Sequence, residues 1–242
     1  MAVVTQSAAS QSSAALNGQS TSYLAGLVSQ QCAGAPDALV NTQLQLTLRE
    51  FYTNSTAWRR VLGPYAVNAN VNTIQLNPVD QYSAIMLVLD GWFFPIPGGS
   101  TNAKQRIQWA QRQIIGTDVG PPVYGWMQDL DHIVLYPVPN TSYGNSLYIY
   151  AAMRPVINST QLPTMATEDH LDALVYGTLA RLLRIPKRPW SNMQLSQEYT
   201  RMFKREISVW RDIANRGYGP ADTSISFPQF AGRGSQRAFR SF

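Results

Sequence analysis

Helical periodicity brackets a β-textured centre, and that order limits this chain to an α+β fold in which one kind of structure is inserted into the other. Pro36 suits a first helical position, Asp37 complements the positive end of the dipole, and Leu39, Val40, Gln43, Leu44, Leu48, Phe51 and Tyr52 recur at helical spacing. The spacing predicts a helix over 37–52, broken by Thr53-Asn54-Ser55-Thr56, with Trp58 as an anchor beyond it. From 62 to 157 the texture is β, with runs at 73–76, 82–89, 123–127, 133–136 and 147–152 that are β-branched or aromatic and bounded by Gly, Pro, Asn and Asp. Residues 133–153 read as a hairpin with a long loop at 137–145. In 102–115, Ile107, Ala110 and Ile114 share one helical face, which favours a short helix or an excursion.

After Leu162-Pro163 the helical period returns. Thr167 reads as an N-cap, Glu168 and Asp169 occupy the first turn, Leu171, Leu174, Val175, Thr178, Leu179 and Leu182 form the buried stripe, and Pro186 stops the helix. A second long helix is expected over 191–216, with Leu195, Tyr199, Met202, Phe203, Ile207, Trp210 and Ile213 spaced by three and four and Gly217 ending it. The expected organisation is a flexible N-terminal arm at 1–35, a helical domain from 36–60 and 160–217, an inserted small antiparallel β lobe at 61–159, and an extended C-terminal docking arm at 218–242.

The two arms follow from composition. Residues 5–22 are Ser, Gln, Ala, Thr and Gly with little else, which offers too little apolar area to offset ordering entropy; residues 23–28 add apolar groups that could pin the arm to a neighbour. Beyond Arg216 there is no period, yet Tyr218, Phe227, Phe230, Phe239 and Phe242 are interleaved with Arg233, Arg237 and Arg240. Aromatic groups in a charge-poor terminus favour a segment that orders on a partner.

Charged residues make up only 14% of the chain, against about 25% in typical soluble domains. Burial against neighbouring subunits is one way to cover such a surface. No side chain in 1–36 is charged, and most of the Lys and Arg lie in the C-terminal part. The net charge of +5 and pI near 9.4 suit a polyanionic neighbour such as DNA but fall short of a dedicated nucleic-acid binder. Cys32 is the single cysteine, so an intrachain disulfide framework and a thiolate-rich metal site are excluded. No run approaches the roughly 18 apolar residues that span a bilayer, and folding in a cytoplasm without a membrane is the expectation. On that expectation the glycosylation triplets at Asn54, Asn140 and Asn158 are fortuitous.

Little in the sequence suggests chemistry. Asp129 and Asp131 precede His132, a group that could be drawn as an acid-base or metal cluster but reads better as a turn at a strand entrance. His170, beside Glu168, Asp169 and Asp172, reads as a solvated helix end. Gly98-Gly99 lies between prolines and is no phosphate loop, and no serine sits in Gly-x-Ser-x-Gly. No enzyme and no cofactor is therefore expected. A small hydrolase built on Asp129, Asp131 or His132, and a carbohydrate-binding module presenting Trp92, Trp109 or Trp126 on one face, are the alternatives from other classes. The densest cationic group, Arg181, Arg184, Lys187 and Arg188 beside Trp190, suits either DNA phosphate or an acidic partner, or neutralises a helix C-terminus.

Several stretches, in order, resemble the head-to-tail adaptor (connector) proteins of podophage-type tailed bacteriophages. They are Leu48-Arg49-Glu50-Phe51-Tyr52 followed by Trp58, then Ile133-Val134-Leu135-Tyr136-Pro137-Val138-Pro139, Leu147-Tyr148-Ile149-Tyr150 and Arg154-Pro155. Leu162-Pro163 and the helix from Asp172-Ala173-Leu174-Val175-Tyr176-Gly177 to Leu182-Leu183 complete the set, which spans 37–219; Tyr52 stands where the pattern has a cysteine. The resemblance implies a structural virion protein in the neck between capsid and tail, assembled in the host cytoplasm. It implies a homo-oligomeric ring of about twelve copies under the portal protein, closed by head-to-tail contacts. Helices would line a channel for packaged double-stranded DNA, held without base readout. The C-terminal arm would reach into the portal and the β lobe would face tail, nozzle or tail-tube proteins. A tail-completion or terminator ring is the alternative within the same class.

Overall fold

The computed structural model describes residues 20–78, 80–95, 104–112 and 116–217. Helices α1 (Thr21–Gln31) and α2 (Asp37–Ser55) come first. The strands follow as β1 (Arg59–Val67), β2 (Thr73–Gln75), β3 (Ser83–Phe93), β4 (Gln105–Arg106), β5 (Gln108–Trp109), β6 (Tyr124–Met127), β7 (His132–Tyr136) and β8 (Gly144–Pro155). Helices α3 (Met165–Glu168), α4 (Leu171–Leu183) and α5 (Met193–Arg216) close the described chain. The fold is α+β, helical at both ends around a β-rich centre, as its periodicities require.

The strands form two four-stranded sheets, one antiparallel in the order β1-β8-β3-β4 and the other in the order β2-β7-β6-β5, with β5 parallel to β6. The long strand β8 holds the first sheet together, pairing Leu62 with Ile149 on one side and Gly91 with Ile149 on the other. Its inward residues Leu147, Ile149, Ala151 and Met153 are all buried, while Tyr148, Tyr150 and Arg154 face outward and are only partly covered. Register slips in β1 between Leu62 and Tyr65, around Gly63. Gly63 has φ +106°, and a Cβ there would lie 2.6 Å from the Leu147 carbonyl oxygen, so only glycine lets the two strands stay in contact.

One apolar core joins sheets and helices. Leu44, Leu48, Phe51 and Tyr52 of α2 belong to the same buried cluster as Ile149 and Met153 of β8, Ile133 and Leu135 of β7, and Leu174 of α4. A smaller cluster joins Val28 of α1 and Cys32 at its C-terminal cap to Val40 of α2 and to Val175, Leu179 and Leu182 of α4. Helices α1 and α5 each pack on α2 and α4.

Several expectations need correction. Residues 23–28 do not belong to an arm held by a neighbour: α1 is capped by the Ser20 hydroxyl and buries Leu24 and Val28 within this chain. Two core contacts per three turns suffice there, although composition hid them. The expected hairpin over 133–153 is two strands of different sheets, β7 pairing with β2 and β6 while β8 pairs with β1 and β3. In 104–112 the backbone is extended, not helical: β4 and β5 flank Ile107, buried at 1% exposure, so burial in the sheet overrides its helical spacing with Ala110; Ile114 lies outside the described residues. Thr167 is no N-cap; it lies inside α3, and α4 starts after His170.

Candidate docking surfaces

Helix α5 is the most exposed long element. It begins where the Asn192 side chain accepts a hydrogen bond from the Leu195 N–H and ends at Gly217 in the left-handed region, so its 24 residues run for about 36 Å. Its buried positions are Ser196, Phe203, Ile207 and Ala214, with Trp210 partly covered. Immediately beside this stripe lies a second one at 3-4 spacing, Leu195, Tyr199, Met202, Glu206, Val209 and Ile213. Met202 is 45% and Val209 42% exposed, while Tyr199 stacks on Tyr176 of α4 at 5.7 Å. The periodicity read as one stripe therefore resolves into two: α4 and α2 cover the first, and the second is partly covered at Leu195 and Tyr199, which pack on the smaller cluster.

Elsewhere on the helical layer, α1, α2 and residues 157–160 line a groove of about 800 Å³. Its walls are hydroxyl and amide side chains with Ala25, Leu46 and Ile157, and its charges are Asp37 and Arg49. Leu46 is 44% and Ile157 63% exposed. The Gln45 amide donates to the Ser159 carbonyl oxygen at 2.8 Å, leaving its own oxygen buried without a partner.

The cationic group at the end of α4 is divided by the fold. Arg181 is ion-paired with Glu50 and ties α4 to α2. Arg184, Lys187 and Arg188 stand exposed on the turn into α5, which is closed by the Asn192 N–H donating to the Leu183 carbonyl at 3.0 Å. The Arg188 guanidinium lies 5.9 Å over the Trp190 ring. Tyr218, Phe227, Phe230, Arg233, Arg237, Phe239, Arg240 and Phe242 lie outside the described residues.

The family model described as SU10 adaptor protein matches residues 18–224, which takes in the helical layer and both sheets. The chain belongs to that family. It is a bacteriophage structural adaptor of the head-to-tail class and thus a virion component associated with portal and tail. No curated protein matches the chain.

Other polar groups in the adaptor hold local structure. Asp129 Oδ1 accepts the backbone N–H groups of Asp131 at 3.1 Å and His132 at 2.7 Å, closing the β6–β7 turn. His132 Nδ1 lies 2.9 Å from one oxygen of each aspartate, and its pKa is raised, first by the hydrogen bond to Asp129. The three donor atoms lie within 4.8 Å of one another, close enough to hold a cation, and Asp129 Oδ1 and His132 Nδ1 also take part in the turn's hydrogen bonds. Trp92, Trp109 and Trp126 share no exposed face: Trp126 is 9% exposed, Trp109 packs over Gly91 and Gly125, and Trp92 lies on the outer side of the first sheet beside Tyr150 and Lys104.

His170 is the largest departure from the sequence reading. It is 1% exposed, with Trp210 at 4.3 Å, Phe51 at 5.0 Å and Tyr52 at 5.6 Å between ring centroids. Its Nδ1 lies 3.2 Å from the Tyr52 hydroxyl. Burial pushes its pKa down to about 4, so this is a neutral core histidine and not a solvated helix end. The aromatic residues Phe51, Tyr52 and Trp210 were legible as core in the sequence, but their convergence on His170 depends on tertiary packing. Among the described residues, no helix is long and apolar enough to cross a membrane.

Proposed function

We propose that the adaptor assembles as a ring of about twelve copies under the portal, closed by head-to-tail contacts, and extends the channel for packaged DNA. Residues 218–242 dock into the portal, the β lobe faces the tail or nozzle, and the exposed cations Arg184, Lys187 and Arg188 face DNA phosphate or an acidic partner. The role is mechanical, with no catalytic site. The observation that carries this reading is the family match across both the helical layer and the β lobe. The low charge of the chain and its two half-exposed apolar flanks agree with large subunit contacts.

Pull-down of the full chain against one truncated after Gly219 tests the reading, with portal-bearing, DNA-filled heads as bait and tail-tube fragments as control. Binding of the full chain in a fixed ring stoichiometry, lost on truncation, is the expected result. Failure of both to bind heads removes the portal-docked ring, and binding to the tail tube instead identifies a terminator.

A further inference from the structure

We infer that the half-exposed stripe of α5 on one copy docks in the α1–α2 groove of the next; this rests on the ring reading above and assigns its faces. A ring needs a heterologous contact, in which two dissimilar surfaces on different sides of the subunit meet. The helical layer offers such a pair, because the stripe belongs to α5 whereas the groove is lined by α1, α2 and residues 157–160 without any residue of α5. Met202 and Val209 stand out from the stripe, and Leu46 and Ile157 rim the concave groove.

Shape and charge both fit a second copy. The stripe has the 3-4 spacing that packs a helix against other helices, and beyond Leu195 and Tyr199, which pack within the chain, it extends about 17 Å from Met202 to Ile213. A helix laid into a groove by such anchors is a recurrent mode of association. Glu206 is the stripe's one acidic residue and Arg49 the groove's one cation, and among the described residues neither has an ionic partner within the chain. Arg201 and Arg205 beside the stripe are likewise free for Asp37 at the groove. The flank formed by α1 carries no charge at all, so nothing on it repels the approaching helix.

The test uses full-length protein assembled on portal-bearing heads, with cysteines placed by Val209→Cys and Leu46→Cys and joined by a short bis-maleimide. Cys32 is buried at 1% exposure and stays silent. The double variant is expected to cross-link into a ladder of many copies, while neither single variant cross-links to itself. Dimers from either single variant indicate like-on-like contact and overturn the inference. A bound mass of a full ring without a ladder also overturns it, leaving the ring reading intact and the groove to another occupant such as residues 1–19. Bound protein that remains one copy per head refutes the ring itself. As a second measurement, Glu206→Arg and Arg49→Glu each lower the number of copies bound, and combining them in one chain restores it; failure of that restoration counts against the proposed pairing.

Discussion

At the scale of single residues, His170 ties the pH response of the molecule to its core. Its ordinary pKa of 6.5 falls to about 4 in the fold. Between those values the unfolded chain takes up a proton that the folded chain refuses, so stability is complete above pH 6.5 and declines as the pH drops. The loss reaches about 3 kcal/mol once both states are protonated. Urea midpoints at pH 7 and pH 4.5 measure this, and His170→Gln flattens the difference. His132 works in the opposite sense: raised by its aspartates, it adds stability at low pH that fades as the pH rises through its folded value, weakly because the site is exposed. Gly177 makes a steric demand. A Cβ there meets Thr47 Cγ2 at 2.5 Å and Phe203 Cδ2 at 2.8 Å, where α2, α4 and α5 cross. Gly177→Ala therefore destabilises by about 1–3 kcal/mol despite its better helix propensity, read as a lower melting temperature.

At the scale of elements, the Arg181–Glu50 pair links α4 to α2, but the two side chains are 33% and 38% exposed. A double-mutant cycle on Arg181→Ala and Glu50→Ala is expected to give a coupling of no more than about 1 kcal/mol, shrinking in 1 M salt. Elements of this kind show what a sequence can disclose. Helices α2 and α5 were legible because their apolar spacing, the Asp37 first turn and Gly217 all act within a few residues. Most strand locations were legible too, from β-branched and aromatic runs. Pairing was not: β7 and β8 are neighbours along the chain yet join different sheets, a choice made by long-range packing on Ile133, Leu135 and Ile149. Helix α1 escaped notice because its Ser, Ala, Gly and Gln residues carry no charge pattern and only Leu24 and Val28 enter the core. Of the candidate docking residues, exposure of Arg184, Lys187 and Arg188 followed from the break at Pro186, whereas the pairing of Arg181 with Glu50 required the fold.

At the scale of the whole molecule, the β lobe is inserted in sequence but shares its core with the helices, since Leu48, Phe51, Met153 and Leu174 belong to one cluster. Thermal unfolding is therefore expected as a single calorimetric transition; two separated transitions would show that lobe and helices are independent. The end of α5 is also fastened to the root of that lobe. The Arg211 guanidinium donates to the Asn54 carbonyl at 2.7 Å, and Arg59, at the start of β1, donates to the Asn215 side chain at 2.9 Å. A tug on the chain beyond Gly217 thus does not simply unwind the last helical turn. It loads the α2–β1 corner in shear, so that force applied at one extremity is felt where the sheets begin.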